Sequence, residues 1–385
     1  MHQADIAIAS GGLAGSTAKP AKGQVITSSS FLTVQALRAI AALLVVVYHA
    51  FDMWSLRTNH TAPAGSWANG AAGVDIFFII SGFVMVVSSR RIASQPGAWW
   101  TFVKHRIVRI VPLYWLITTT KLILVFFLAD LVLRSSLDVG YVVRSYLFFP
   151  VIDSAGHFRP LLSVGWTLTY EFLFYLLFAL ALALRVDALR VLLPGLGLFV
   201  VVALFRTESW PAWTILFNTI VIEFIFGVML AKLILRGWQL PAGAAACLAV
   251  AGFALILVIP EGSESLRTVT WGLPALAIVT GAVCLEGTVA SAIPRWLLAL
   301  GDASYSIYLT HGFVVPAIGF AFMFLHWMGL PAQAIAVLAC LVASSIVGWV
   351  VYVMVERPTM LSLKKWTVAS AAVCREQLVE RRPPG

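Results

Sequence analysis

Apolar runs of about 18 to 22 residues, separated by short polar breaks, recur along the chain, and that length suits a helix crossing a bilayer core. They occupy 32–53, 73–89, 110–130, 164–184, 191–205, 214–234, 241–259, 269–287, 304–325 and 333–355. The pattern predicts an all-α polytopic membrane protein, a bundle of about ten transmembrane helices. The polar ends divide the chain further. Residues 1–30 are Gly-, Ala- and Ser-rich with no apolar period, which predicts a disordered cytosolic tail; 31–358 form the transmembrane domain, and 359–385 a basic cytosolic tail. A signal peptide is disfavoured, because the first apolar run has span length, contains Arg38 and lacks a small-x-small pattern after it.

With the N-terminus inside, Lys and Arg favour the cytosolic side by roughly three to one, so both termini are expected in the cytosol. Trp54, Trp115, Trp166, Trp213, Trp238 and Trp271 fall at predicted span ends, as interfacial anchors do. The longest stretch on the other side, 131–163, contains YLFFPVI and could dip back as a lid. Composition agrees with this reading. The chain is 61% hydrophobic and 11% charged, against about 25% charged in a soluble domain. Its net charge of +9 is explained by basic cytosolic loops meeting anionic membrane lipids, so no nucleic-acid partner is expected. The four cysteines form no CxxC, and neither a disulfide framework nor a metal site is expected.

The chemistry concentrates where the apolar pattern is broken. The first span, FLTVQALRAIAALLVVVYHAFD, carries Arg38 and His49, and ionisable groups at hydrocarbon depth usually face a protein interior or a wet cavity. Eleven residues turn a helix by about 1100°, roughly 20° past three turns, so both side chains share one face, about 16 Å apart along the axis. Ala42 and Val45 lie between them on that face, and the expectation is a shallow channel holding a long polar cofactor end-on. Asp75 in the second span and Glu171 in the fourth are expected in the same layer as His49. A histidine beside a carboxylate is a general-base arrangement, in which the carboxylate fixes the tautomer. Each of these groups could instead satisfy a neighbouring helix. Arg90, Arg91, Lys104, Arg106 and Arg109 cluster at the cytosolic foot of the second and third spans, where they could grip phosphates or meet anionic lipid. Glu223 and His311 are further candidates to line a cavity, and Lys121 is expected to snorkel or pair locally.

Taken together and in order, several motifs resemble a known family. They are Arg38-x10-His49, GVDIFFIISGF (Gly73 to Phe83), Arg106-x-x-Arg109-Ile-x-Pro-x-Tyr114, WTLTYEFLFY (Trp166 to Tyr175), LGDASYSIYLTH (Leu300 to His311) and Glu356-Arg-Pro358. The chain is similar to integral-membrane acyltransferases of acyltransferase family 3, the group containing O-antigen and exopolysaccharide O-acetylases. The resemblance implies an O-acetyltransferase of the bacterial inner membrane, moving an acyl group from acetyl-CoA to a hydroxyl of a polysaccharide or lipid-linked glycan, lipopolysaccharide included. It implies that Arg38 and His49 are the essential pair and that Arg106 and Arg109 support the acyl-CoA donor. Some members carry an added hydrolase-like domain; the short stretch after Pro358 suggests that here the membrane domain completes the transfer. A proton-coupled transporter of a sugar or lipid-linked glycan is the alternative, since intramembrane His and carboxylate groups also relay protons.

Overall fold

The computed structural model describes residues 31–58, 67–127, 138–153, 156–207, 210–262, 266–325 and 329–363. The expected N-terminal tail, the start of the expected lid and the chain from 364 onward lie outside the described residues. In order, the described residues form α1 (Leu32–Arg57), α2 (Gly73–Ser89), α3 (Ala98–Phe127), α4 (Val139–Tyr146), α5 (Trp166–Leu184), α6 (Ala188–Phe205) and α7 (Ile222–Leu235). There follow α8 (Ala242–Val258), α9 (Leu273–Cys284), α10 (Glu286–Val289), α11 (Arg295–Asp302), α12 (Ser304–Phe324) and α13 (Leu330–Val351). Eight helical stretches among them are long and apolar enough to cross a membrane. A bent pair, Thr268–Cys284 with Glu286–Ala292, kinked by 54°, makes a ninth, and α8 is a shorter apolar helix. All ten expected segments are therefore helical, and the chain is an all-α, multi-pass membrane protein.

Two boundaries differ from the sequence reading, each for a local reason. α3 starts at Ala98 instead of near 110, because nothing in AWWTFVKHRIVR breaks a helix, so its basic residues ride on the helix itself. The last span continues through a π-helical turn, Tyr352–Glu356, and on to Leu363, so the expected basic tail begins as helix.

α1 is surrounded by α2, α11, α12 and α13, and its inner end is clamped from far along the chain. The first N–H groups of a helix have no partner within it, and Phe31 supplies no side-chain cap. The Glu286 carboxylate does so instead, accepting from the Leu32 N–H at 2.8 Å, the Thr33 N–H at 2.9 Å and Thr33 Oγ1 at 2.6 Å. A negative charge at that end also meets the positive pole of the helix dipole. One turn on, Gln35 Nε2 donates to the Leu298 carbonyl at 3.0 Å, tying α1 to α11.

α2 and α7 approach with almost no side chain between them. A Cβ on Gly82 would stand 2.2 Å from the Phe224 carbonyl oxygen, and one on Gly227 would stand 2.0 Å from that of Ile79. In a bilayer, lipid tails are as apolar as leucine, so close backbone packing through small residues is what holds helices together. Phe224 stacks on Phe78 at 4.5 Å and on Phe174 at 4.6 Å, which locks α2, α5 and α7 as one unit. Residues 138–153 fold back on α3 and α5. Tyr114 Oη donates to the Ser145 carbonyl at 2.8 Å, Trp115 Nε1 donates to that of Tyr146 at 2.9 Å, and Phe148 stacks on Phe172 at 4.0 Å.

The glycine contact makes a prediction. Gly227→Val and Gly82→Val should each destabilise the purified protein by about 1–3 kcal/mol through overpacking, read as a lower thermal midpoint in detergent. Gly243→Val on α8, where nothing lies within 4 Å of the added carbon, should leave the midpoint where it is.

Candidate active site

At the end of the bundle where α1 begins, five helices enclose a cavity of about 160 Å³. α1 contributes Arg38, α2 Ser81, α3 Arg106 and Arg109, α5 Thr167, Glu171 and Tyr175, and α12 Tyr305 and Tyr308. Phe102 meets Tyr175 at 6.0 Å and Phe178 at 5.0 Å, which holds α3 against α5 where Arg106 and Arg109, two and three turns into the helix, line the cavity. Arg109 pairs with Glu356 Oε1 at 2.8 Å, while Glu356 Oε2 accepts from Ser306 Oγ at 2.6 Å. Glu356 closes the π-helical turn of the last span, a local widening that often marks functional positions. Glu171 accepts from Ser81 Oγ at 3.0 Å and from Tyr175 Oη. Arg106 lies over the Phe102 ring at 5.6 Å, and its buried Nε has no hydrogen-bond partner among the described residues. At the end of α11, burial raises the Asp302 carboxyl above the usual carboxylate range, with Arg38 and Arg109 opposing that shift. The lining itself holds three guanidinium groups and one carboxylate, Glu171, and one guanidinium keeps a stranded buried donor, which makes a cavity suited to an anionic ligand.

At the opposite end lies a vestibule of about 970 Å³. Its walls include Tyr48, His49 and Asp52 of α1, Trp166 and Tyr170 of α5, His157 and Arg159 of the folded-back segment, and Asn218, Glu261 and Arg267. A recess of about 350 Å³ adjoins it, lined by His49, Ser163, His311 and Pro316. The His49 ring sits 4.7 Å from Tyr48 and 5.0 Å from His311, the two imidazoles tilted by 32°. His311 is 1% exposed, and neither of its ring nitrogens has a hydrogen-bond partner among the described residues. An imidazole at the wall of a vestibule with many polar groups, with aromatic rings around it, is placed to take a proton from a hydroxyl-bearing ligand.

The structure brings Arg38, Arg106, Arg109 and Glu171 together in one cavity and places His49 in another. It separates the rest. Arg90 and Arg91 are exposed beyond α2, and Lys104 turns to the Trp100 ring at 5.3 Å. Glu171 and Asp75 do not orient His49, contrary to expectation. Ser163 and Val164, in the turn before α5, occupy the His49 layer, and Glu171 comes eight residues later, about 12 Å deeper at 1.5 Å per residue. Asp75 follows Val74, which lines both cavities, and one helical step of about 100° turns it away from them. There it accepts from Arg267 Nη2 at 2.8 Å and Nε at 3.2 Å, while Arg267 Nη1 reaches Glu261 at 2.6 Å. Glu223 is fully buried in the same cluster, tight enough that a Cβ on Gly272 would stand 2.7 Å from its Oε1. The continuous channel along α1 is not seen among the described residues: Ala42 is fully buried in a cluster with Ala303 and Ile307, and two cavities that share Val74 and Tyr308 stand where one passage was expected. Lys121 reaches the Phe313 ring at 5.9 Å.

Sequence reasoning missed Arg267, Tyr308 and Tyr175 as site-forming residues. Arg267 reads as an ordinary loop cation, and no local signal links it to a carboxylate 192 residues away. Glu356, by contrast, carried a signal: it is an acidic residue closing an apolar span. Among the described residues, no group of three or more His, Cys, Asp and Glu is placed to hold a metal ion.

Comparison with known proteins adds the family. The model of a family described as an acyltransferase domain matches residues 31–354. The exopolysaccharide production protein ExoZ of Rhizobium meliloti is 35% identical over 300 residues, covering 76% of this chain and 90% of its own. The acyltransferase MdmB of Streptomyces mycarofaciens is 27% identical over 380 residues, covering 87% of this chain and 93% of its own. No solved structure matches the chain.

The Asp75 geometry separates a structural from a catalytic role. Asp75→Asn strands a largely buried guanidinium and should destabilise the protein toward the low end of about 3–5 kcal/mol, since Glu261 still holds Arg267. Glu261→Gln, at the exposed end of the same network, should cost less than about 1 kcal/mol. Thermal unfolding of the two variants in detergent gives the comparison.

Proposed function

The chain belongs to acyltransferase family 3, whose domain spans nearly all of it, and from that premise we propose that it transfers an acetyl group from acetyl-CoA to a hydroxyl of an exported or envelope polysaccharide. The observation that carries the reading is the pair of cavities at opposite ends of α1, one lined by guanidinium groups and one by an imidazole. The name of ExoZ ties that relative to exopolysaccharide production, and an acceptor of this class suits a large vestibule walled by Trp166, Tyr48 and polar groups. The protein lies in the bacterial inner membrane with the arginine end in the cytosol, in keeping with its positive-inside bias.

In this proposal Arg106 and Arg109 hold the phosphates of the donor at the cytosolic mouth. The stranded Arg106 Nε supports that assignment, because a buried donor without a partner is costly until an anion arrives. The cavity of about 160 Å³ would take the arm of the donor, with its nucleotide left at the mouth. Arg38 lies along that arm. Glu171, fixed by Ser81 and Tyr175, balances the guanidinium charge so that the cavity stays folded between turnovers. His49 accepts the proton of the sugar hydroxyl as its oxygen attacks the thioester carbonyl. The carbon–sulfur bond breaks, and His49 returns the proton to the leaving thiolate, so the products are an ester and a free thiol.

Membranes given radiolabelled acetyl-CoA and polysaccharide test this directly. His49→Ala should lower label on the polysaccharide by about 10²–10⁴-fold at unchanged protein level, and retained label would remove the general-base role. Arg106→Ala should raise the KM for acetyl-CoA by about tenfold or more, as expected for a charge-assisted contact of about 1.5–3 kcal/mol. Lys104→Ala, facing Trp100, should change neither constant.

A further inference from the structure

The two cavities touch at a single layer. Val74 of α2 and Tyr308 of α12 line both of them. The Tyr308 phenol spans that layer: its Oη lies 2.9 Å from Thr167 Oγ1, which faces the arginine cavity, and donates to the Val164 carbonyl at 3.3 Å, beside the vestibule. Its ring meets Phe77 edge-on at 6.0 Å and His311 at 5.7 Å. One turn along α12, Gly312 leaves open space where a Cβ would stand. The ring is thus buried between two aromatic neighbours with its hydroxyl bonded at the boundary, so a side chain, and not backbone, stands between the two cavities.

We propose that Tyr308 is the specificity-determining partition between the donor cavity and the His49 vestibule, admitting short acyl groups and excluding water from the thioester. The proposal rests on the acyl-transfer reading and goes beyond it. To meet a hydroxyl held at His49, the acyl carbon must pass the Tyr308 layer. A short acyl group passes with a small displacement of the ring, whereas a longer chain needs the ring removed altogether. The same ring bars vestibule water. Were water to reach the thioester, its oxygen would take the acyl group and the carbon–sulfur bond would break, leaving a carboxylic acid and a free thiol with no acceptor modified. Thr167 acts through Tyr308 as a positioning residue, since its hydroxyl fixes the phenol in the closed setting.

Two readouts test the partition. In the first, membranes carrying wild type, Tyr308→Ala or Thr167→Val receive acyl-CoA donors from acetyl to octanoyl, with and without polysaccharide. Tyr308→Ala should extend transfer to the longer chains and raise acceptor-independent release of free CoA by about tenfold. Thr167→Val, which keeps the volume and removes the hydroxyl, should move both in the same direction by less and guards against a misfolded alanine variant. The second readout needs no activity. Val84→Cys places a thiol in the arginine cavity, and a membrane-impermeant maleimide added from the vestibule side should label it only when Tyr308→Ala is also present. Labelling in both backgrounds, or in neither, overturns the partition. If wild type transfers acetyl while chain-length profile, CoA release and labelling all match it in Tyr308→Ala, the partition fails and the transfer reading stands. If wild type modifies no polysaccharide, the transfer reading fails, the assignment of acyl selectivity to Tyr308 falls with it, and the labelling comparison still decides whether Tyr308 divides the two cavities.

Discussion

The carboxylate of Glu286 on the first N–H groups of α1 sets the depth at which that helix sits, and everything at the site follows from that depth. A helix in a bilayer can slide or tilt at small cost for each ångström, so a span carrying two functional side chains needs an axial anchor. Here the anchor comes from the bend after α9, with Gln35 and the Leu298 carbonyl adding a second point one turn later. With α1 fixed at one end, Arg38 and His49 are fixed too, about 16 Å apart by helix geometry alone. The close α2–α7 crossing then presents Val74, Phe77 and Ser81 to the same interior at settled heights.

Ionisable groups in the bundle are handled in two ways, with Glu223 as the exception: it lies beside the Asp75–Arg267 network, yet neither of its buried carboxylate oxygens has a hydrogen-bond partner among the described residues. Asp75, Arg267 and Glu261 satisfy one another, with Trp271 beneath the guanidinium at 4.8 Å. Such a network is expensive to disturb and has little capacity left for a ligand. Arg106 and His311 differ: each keeps buried polar atoms with no partner among the described residues. In a low-dielectric interior that is a standing penalty, and it persists where a ligand or the chemistry supplies what the fold withholds. Arg109 lies between the two, paired with Glu356 yet still a quarter exposed along its side chain.

The fold was almost wholly legible in the sequence, because hydrophobic length is the constraint the bilayer imposes and it is written locally. All ten segments emerge from run length alone. The shared interior of Arg38, Arg106 and Arg109 was legible for a related reason, helical spacing plus charge. Partnerships across the chain were not. Asp75 with Arg267, and Glu286 with the start of α1, join residues 192 and more than 250 positions apart, and no periodicity reports them. The error over Glu171 was one of depth. The 3₁₀ turn Ser163–Gly165 ahead of α5 takes up the layer that counting from the span end had given to the carboxylate.

The missing continuous channel is better understood as a requirement than as a defect. A protein open from end to end along Arg38 and His49 would be a water-filled pore, and in the proposed reaction the donor thioester within it would meet water far more often than a sugar hydroxyl. Chemistry across a bilayer therefore needs two compartments that communicate only through the reacting group. Ala42 serves this need by being small: it shares one buried cluster with Ala303 and Ile307, where α12 closes on α1 between the two polar residues. Among the described residues, the two compartments share the side chains of Val74 and Tyr308. A side chain can change rotamer without any unfolding of the backbone, so a boundary built from side chains suits the proposed transfer, in which an acyl group must pass and a standing column of water must not.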